Sequence, residues 1–341
     1  MARYNEMTTN RNTVSFNPLK SIFNQSFLSH QSLFTLRSVG IAALALTIFT
    51  GCSSSPSEEV MVSSHTVPNN TGELYYEIYG SGKPILFLTG GPGNSGEYFV
   101  PVAKRVSARY QSIVLDQRGT GKSTVKEFNE QTININEAIN DLELLRKHLK
   151  FDEWVVLGHS WGGMLGMAYS AKHPEVVSNL ILVAPGGLTM DFHDFEQIVM
   201  GRLTEQDMET INYWQDPERA ASNPHGAMIE MIKAQQPGYF VAREKGKEFI
   251  ASLNTDNFSV PTYQYMWGNL METKYDLTES LLVFKNPTLL LLASGDPGLS
   301  VGLAIKNTLP QSEVVIIEDS GHYPFIEQPE AFYAALFAFL D

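Results

Sequence analysis

Residues 154–163 read WVVLGHSWGG, and this stretch decides the fold. An apolar strand runs into the pattern Gly-x-Ser-x-Gly, and an amphipathic helical stretch follows it. A serine in this pattern lies on a sharp turn from strand to helix, where side chains at Gly158 and Gly162 would collide with backbone. The turn exposes Ser160 at the end of its strand and directs the N-terminus of the next helix at negative charge that forms there. The stretch therefore predicts a nucleophilic serine.

The chain around this turn alternates short apolar runs with amphipathic stretches, which predicts a mostly parallel sheet with helices on both faces. Three runs (ILFL, LILV and TLLLLA) are continuously hydrophobic, as expected of central parallel strands. The predicted strands are Leu74–Ile78, Pro84–Leu88, Ser112–Leu115, Trp154–Leu157, Leu180–Val183, Thr288–Ala293 and Glu313–Ile317. The predicted helices include Ile135–Leu149, Met164–Ala171 and Ala331–Leu340.

The alternation breaks over residues 188–281, which are rich in charges and aromatic side chains and contain no convincing strand. We interpret this stretch as a mostly helical cap inserted into a core formed by residues 71–187 and 282–341. In open α/β sheets the ligand binds at the carboxyl edge of the strands. The cap is therefore expected to form the roof of the site.

A serine hydroxyl becomes a good nucleophile when a base removes its proton. His322 follows the predicted strand Glu313–Ile317, so it reaches the carboxyl edge of the sheet and is the candidate base. Asp296 follows the strand Thr288–Ala293 at the same edge and is the candidate acid that orients the histidine. Asp319, three residues before His322, is the alternative acid, although local turn hydrogen bonding is its expected role.

The negative oxygen that forms during acyl transfer needs two preorganised donors. The backbone N–H of Trp161, directly after the serine, is one candidate. The other is the N–H of Gly91 in the glycine-rich loop that follows the strand ILFL. A phosphate-binding role for this loop is excluded because no Gly-Lys-Ser/Thr follows it directly, and the segment with Gly-Lys-Ser at residues 121–123 has the wrong glycine spacing for a phosphate loop.

Three motifs together resemble the proline iminopeptidase family of α/β-hydrolases, over the chain from about Gly72 onward. They are GGPG at residues 90–93, DQRGTGKS at 116–123 and GHSWGG at 158–163. The resemblance implies the α/β-hydrolase fold, with the triad in the order Ser160, Asp296, His322. It also implies cleavage of a short peptide or amide after a free N-terminal residue, often proline. A cap motif of these peptidases is similar to YMWGNLME at 265–272, which makes Glu272 the candidate amine-binding residue.

Two rival functions remain open. The first keeps the acyl-transfer chemistry but acts on small acyl compounds as an esterase, lactonase or amidase. The second is a non-catalytic binding protein that has the same fold. A requirement for a free amine separates the peptidase from the esterase, and covalent labelling of Ser160 separates both from the binding protein.

Composition limits the partners and cofactors. The net charge of −13 disfavours binding to nucleic acid. The eight histidines are scattered without metal-ligand spacing, so no metal site is expected. The proposed chemistry requires no cofactor. The expected partner is a small peptide, amide or ester substrate.

The N-terminus has the pattern of an export signal. Residues 38–50 (SVGIAALALTIFT) form an apolar run that is short for a membrane span and typical of the core of a signal peptide. Residues 1–51 are predicted to be a signal peptide with a long n-region, and residues 52–70 a polar tether. An uncleaved anchor is the alternative.

The single cysteine, Cys52, excludes an intrachain disulfide. FTGC at residues 49–52 resembles the bacterial lipobox, which implies that Cys52 is lipidated and holds the protein at a membrane. Ser53 in the next position resembles lipoproteins that are sorted to the outer membrane. We therefore expect an exported protein that is anchored through Cys52, on the periplasmic face of the outer membrane.

Overall fold

The structure is a computed structural model and describes residues 62–341. The predicted signal peptide and Cys52 lie outside the described residues. A single sheet contains nine strands: β1 (Val62–Pro68), β2 (Gly72–Tyr79), β3 (Pro84–Leu88), β4 (Gln111–Leu115), β5 (Thr124–Val125), β6 (Trp154–His159), β7 (Val177–Val183), β8 (Thr288–Ala293) and β9 (Glu313–Ile317).

The described α-helices are α1 (Val100–Val106), α2 (Ile135–His148), α3 (Trp161–Lys172), α4 (His193–Gly201), α5 (Glu205–Trp214), α6 (Pro217–Ser222), α7 (Pro224–Gln235), α8 (Arg243–Ser252), α9 (Val260–Glu272), α10 (Leu299–Thr308), α11 (Pro324–Glu327) and α12 (Pro329–Leu340). Single turns of 3₁₀ helix lie at Gly96–Phe99, Pro174–Val176, Gln236–Tyr239, Thr255–Asn257 and Ser280–Val283. No helix within residues 62–341 is long and apolar enough to cross a membrane.

The strand order is β1-β2-β4-β3-β6-β7-β8-β9, with β5 paired to β2. Pairing is parallel from β4 through β9 and antiparallel where β2 meets β1, β4 and β5. All residues of β6 and β8 are buried, which explains their continuous hydrophobic sequences. This arrangement confirms the predicted fold, an α/β-hydrolase sheet with helices on both faces.

Each central strand contributes to two hydrophobic cores, one on each face of the sheet. Leu86 and Leu88 of β3 pack with helices α2 and α3. Ile85 and Phe87 of the same strand pack with α1 and α12 on the opposite face. This alternation follows from the two-residue period of a strand. The two layers fix the carboxyl edge, where β3, β6, β8 and β9 end.

The sequence prediction placed the polar tether at residues 52–70, and the structure corrects its C-terminal part. Val62–Pro68 form β1, which pairs antiparallel with all but one residue of β2. Only Val67 of this strand is buried. Backbone pairing rather than a buried side-chain face holds an edge strand of this kind, so its polar sequence carried no hydrophobic period. The two-residue strand β5 was also not predicted.

Between β7 and β8 the chain forms α4 to α9 and no strand longer than an isolated bridge. These helices form the cap. Thr262 of α9 donates a hydrogen bond to the Gly119 carbonyl of the core at 2.8 Å, and the Ser259 amide donates to the Gly93 carbonyl at 2.8 Å. The first turn of α9 is therefore fixed to the glycine-rich loop at the carboxyl edge of the sheet.

Candidate active site

Ser160 lies between β6 and α3 with φ 54° and ψ −119°, a strained conformation for a residue with a side chain. Its carbonyl accepts hydrogen bonds from the amides of Gly163 and Gly186 at 2.9 and 3.0 Å, which hold the turn. A side chain at Gly158 or Gly162 would collide with backbone, as predicted. Ser160 is partly exposed although both its chain neighbours are buried. The fold therefore presents this one side chain to a ligand.

His322 and Asp296 meet at the carboxyl ends of β9 and β8. His322 Nδ1 lies 2.9 Å from Asp296 Oδ1, and both side chains are buried. The Gly298 amide donates a second hydrogen bond to the same carboxylate oxygen at 2.9 Å. Because a carboxylate only accepts, Nδ1 carries the proton and Nε2 is left as the basic nitrogen. Asp319 is exposed and its side chain takes no part in this pair.

His159, which precedes the serine, is buried within a hydrogen-bonded chain. Its Nε2 donates to the His322 carbonyl at 2.8 Å, so its Nδ1 accepts from the Tyr98 hydroxyl at 2.9 Å. The Tyr98 hydroxyl in turn accepts from the Gly90 amide. Burial, and secondarily the nearby His322, lower the pKa of His159 well below its usual value. His159 is therefore a neutral link between His322 and the glycine-rich loop.

The glycine-rich loop packs directly against Ser160. A Cβ atom at Gly90 would come within 2.8 Å of Ser160 Cβ. Gly91 has φ 56°, and its carbonyl accepts from the Asn94 amide at 3.0 Å. Neither the Gly91 amide nor the Trp161 amide has a hydrogen-bond acceptor among the described residues. Both predicted oxyanion donors are therefore available on the two segments that flank the serine.

Gln117, from the motif DQRGTGKS, connects these two segments. Its Nε2 donates to the Thr89 carbonyl at 3.0 Å, and its Oε1 accepts from Trp161 Nε1 at 2.9 Å. The neighbouring Arg118 is buried and forms a two-point ion pair with Asp141 of α2. The motif therefore has a structural role, because Gln117 holds the glycine-rich loop and the start of α3 at a fixed separation. The sequence identified the motif but not this role.

Glu327 joins the His322 loop to the cap. This buried carboxylate accepts from the amides of Gly321 at 2.6 Å and Ala242 at 2.8 Å. The His322 amide donates to the carbonyl of the cap residue Tyr239 at 2.8 Å. The position of the histidine therefore depends on the cap segment as well as on the sheet.

Aromatic side chains of the cap cover the site. The Phe195 and Tyr239 rings lie 5.6 and 5.5 Å from the His322 ring. Trp267 lies 6.3 Å from the ring of Trp161, which follows the serine. The six cap and core rings that form this roof are Trp161, Phe192, Phe195, Tyr239, Tyr263 and Trp267. We call this region the aromatic roof.

One carboxylate, Glu196, lies within the aromatic roof. It follows Phe195 on α4 and shares a helix face with Phe192, four residues earlier, whose ring contacts Trp267. Burial raises the pKa of Glu196, and the nearby His193 partly opposes this effect. Burial first and the charge of Glu196 second raise the pKa of Tyr263 to about 12. Glu196 has no ion-pair partner within residues 62–341.

Glu272, the predicted amine-binding residue, is exposed at the last position of α9. At 1.5 Å and 100° per residue, it lies about 7.5 Å along the axis and about 140° around it from Trp267. The helix therefore turns Trp267 toward the roof and Glu272 toward solvent. The structure does not bring Glu272 to the site, and Glu196 is the acid that the sequence reasoning missed.

The described residues contain no cluster of three potential metal ligands.

Comparison with known proteins gives relatives along most of the chain. The proline iminopeptidase of Heyndrickxia coagulans is 28% identical over 274 residues, covering 78% of this chain and 93% of the relative. The proline iminopeptidase of Lactobacillus helveticus is 27% identical over 286 residues, covering 79% and 94%.

Solved structures with the same fold include an esterase of Thermogutta terrifontis, with a TM-score of 0.63 and 22% identity over 82% of this chain and 98% of that one. The enol-lactonase of Burkholderia xenovorans has a TM-score of 0.63 and 19% identity over 81% and 99%. The sequence profile described as the alpha/beta hydrolase fold matches residues 83–329. With this profile match over most of its length, the chain belongs to the α/β-hydrolase fold family.

Proposed function

We propose that this protein is a serine aminopeptidase that removes an N-terminal residue, such as proline, from short peptides or amides. His322 Nε2 takes the proton of Ser160 as the hydroxyl oxygen attacks the substrate carbonyl. Asp296 holds the imidazole by Nδ1 and stabilises the imidazolium that forms. The amides of Gly91 and Trp161 bind the oxyanion. His322 returns the proton to the leaving amine, and water then hydrolyses the acyl-enzyme.

The aminopeptidase assignment rests on the position of Glu196. An ammonium group is stabilised by a carboxylate and by the faces of aromatic rings, and the aromatic roof supplies both beside His322. Glu196 is partly buried and forms no salt bridge within residues 62–341, and the nearby His193 offsets only part of the effect of burial on its pKa. A cationic ligand would therefore stabilise its charged form. The buried Trp267 Nε1 lies beside Tyr263 and makes no hydrogen bond of good geometry within residues 62–341, so it can donate to a polar group of the same ligand. The identity to proline iminopeptidases supports the same assignment.

The test compares aryl amides of proline, alanine and leucine, free and N-acetylated, with a short-chain aryl ester. We expect the free amides to be cleaved and the acetylated ones to be poor substrates. The Glu196→Gln variant removes the charge but keeps the shape, so kcat/KM for free amides should fall about 10- to 100-fold. Glu272→Gln, a matched change on the exposed end of α9, should leave all rates unchanged.

Two results would contradict the aminopeptidase assignment. Equal cleavage of free and acetylated amides, or cleavage of the ester alone, would favour an esterase, lactonase or amidase that uses the same triad. A Glu196→Gln variant with wild-type kcat/KM on free amides would remove Glu196 from substrate recognition.

We also propose that the protein is exported and held at a membrane through lipidated Cys52. The apolar run at residues 38–50 and the sequence FTGC support this proposal. The wild-type protein should incorporate labelled palmitate in a bacterial host, and Cys52→Ala should not. Equal labelling of the two proteins would refute lipidation at this residue.

A further inference from the structure

A cleft separate from the aromatic roof lies between the core segment 94–98 and the cap helices α7 and α8. It is a shallow cleft that is partly open to solvent, with a cavity volume of about 30 Å³. Its lining contains neither Ser160, Asp296 nor His322, and none of the six rings of the aromatic roof. We call it the Tyr98 cleft, after the core aromatic residue in its wall.

The Tyr98 cleft is nevertheless adjacent to the nucleophile. Its lining residue Tyr98 accepts a hydrogen bond from the Gly90 amide. A Cβ atom on Gly90 would lie 2.9 Å from the Tyr98 hydroxyl oxygen and 2.8 Å from Ser160 Cβ. Asn94, also in the lining, donates from Nδ2 to the Gly90 carbonyl at 3.1 Å. Ser160 and Tyr98, a residue of the cleft wall, therefore both lie against Gly90.

The lining defines the chemistry of the occupant. Ile232, Ile250 and Leu253 are partly exposed apolar side chains that face the cleft from the cap. Its one acid, Glu97, accepts a hydrogen bond from Asn257 at 3.1 Å. No lysine, arginine or histidine lines it. These features favour an apolar, uncharged group and disfavour a free carboxylate.

We propose that the Tyr98 cleft is a leaving-group subsite, which binds an apolar side chain of the residue that follows the scissile bond. This inference rests on the proposed function. The acyl group of an aminopeptidase substrate is a single residue, and the aromatic roof with Glu196 accommodates it. The remaining part of the substrate is the leaving group. A peptide whose second residue is apolar and whose carboxyl terminus is extended or amidated matches the lining.

Acyl transfer to added amines tests the cleft directly. By microscopic reversibility, an amine that attacks the acyl-enzyme occupies the leaving-group subsite: its nitrogen bonds to the acyl carbon, Ser160 Oγ leaves, and the amine proton passes through His322. Leucinamide and glycinamide are compared as acceptors, and the new amides are quantified against hydrolysis. We expect leucinamide to be preferred about tenfold, which is the effect of moving about half of its side chain from water into an apolar site. Free leucine, with its carboxylate near Glu97, should be a weaker acceptor than leucinamide.

The acyl donors are alanine methyl ester and p-nitrophenyl butyrate. If only the butyrate forms an acyl-enzyme, the proposed aminopeptidase function fails, but the acceptor ratio with the butyryl donor still tests the cleft. The two failures are therefore distinguishable.

Two variants assign the selectivity to the cleft. Ile250→Ala removes apolar wall, and Leu253→Trp fills space, so both should reduce the leucinamide preference to about threefold or less. Ile198→Ala, at a cap residue that is 40% exposed and outside the cleft, is the matched control and should keep the preference. Equal use of the two acceptors by the wild type would overturn the proposal. So would a preference that survives both cleft variants.

Discussion

Replacement of Glu327 tests whether the cap fixes the position of His322, the proposed base. Glu327→Ala leaves the buried Gly321 amide without an acceptor, which costs about 1–3 kcal/mol. The Ala242 amide also loses its partner, but residue 242 is exposed, so water can replace part of that bond. We therefore expect the free energy of unfolding to fall by about 2–3 kcal/mol in total. Glu327→Gln keeps one acceptor oxygen and should lose less.

The same change should impair catalysis in the folded protein. The segment that begins at Tyr239 and the loop of His322 lose the link through Glu327, although the hydrogen bond from the His322 amide to the Tyr239 carbonyl remains. A displaced His322 should lower kcat about 10- to 100-fold, with a smaller effect on KM. Denaturant unfolding and steady-state kinetics measure the two effects. Glu330→Gln, three residues further along, is the control, because its carboxylate is exposed in an ion pair with Arg105 and no measurable change is expected. If Glu327→Ala matched this control in both stability and kcat, the anchoring argument would be refuted.

Three further changes give distinct outcomes. Asp296→Asn should lower kcat by about 10⁴-fold because the amide favours the wrong tautomer, whereas Asp319→Asn should have wild-type kcat in the same assay. Tyr98→Phe removes the acceptor of the buried Gly90 amide, so the free energy of unfolding, measured by denaturant unfolding, should fall by about 1–3 kcal/mol. His159 has a lowered pKa when folded, so the unfolded chain binds its proton first; stability should fall below about pH 6.5 by up to about 1.4 kcal/mol per pH unit. Denaturant titrations across pH should give a shallower slope for His159→Gln, and an unchanged slope would contradict the neutral assignment.

Much of the fold could be predicted because its central elements have strong local signals. The fully buried strands β6 and β8 are continuously apolar, and the glycines around Ser160 are required by close backbone contacts. By contrast, β1 is an exposed edge strand whose pairing with β2 leaves almost no hydrophobic pattern. Its register depends on a partner strand and is not visible in its own sequence.

Some residues of the site could also be predicted from the sequence and others could not. Asp296 and His322 could be placed because each follows a strand of one parallel sheet, and such strands end at a common edge. Acidic residues of the cap could not be ranked, since a helix alternately turns its residues inward and outward and its orientation depends on packing. This is why Glu272 was predicted and Glu196 was missed. The role of Gln117 likewise requires the distance between two segments, which the sequence does not contain.

The central claim is that Ser160 is the nucleophile of a triad that includes Asp296 and His322. The most direct measurement is reaction of the folded protein with a fluorophosphonate probe, followed by peptide mapping of the modified residue. We predict one phosphonyl group per chain, on Ser160, with no labelling of Ser160→Ala or of the unfolded wild type. Labelling of another residue, or no labelling of the folded protein, would contradict the account.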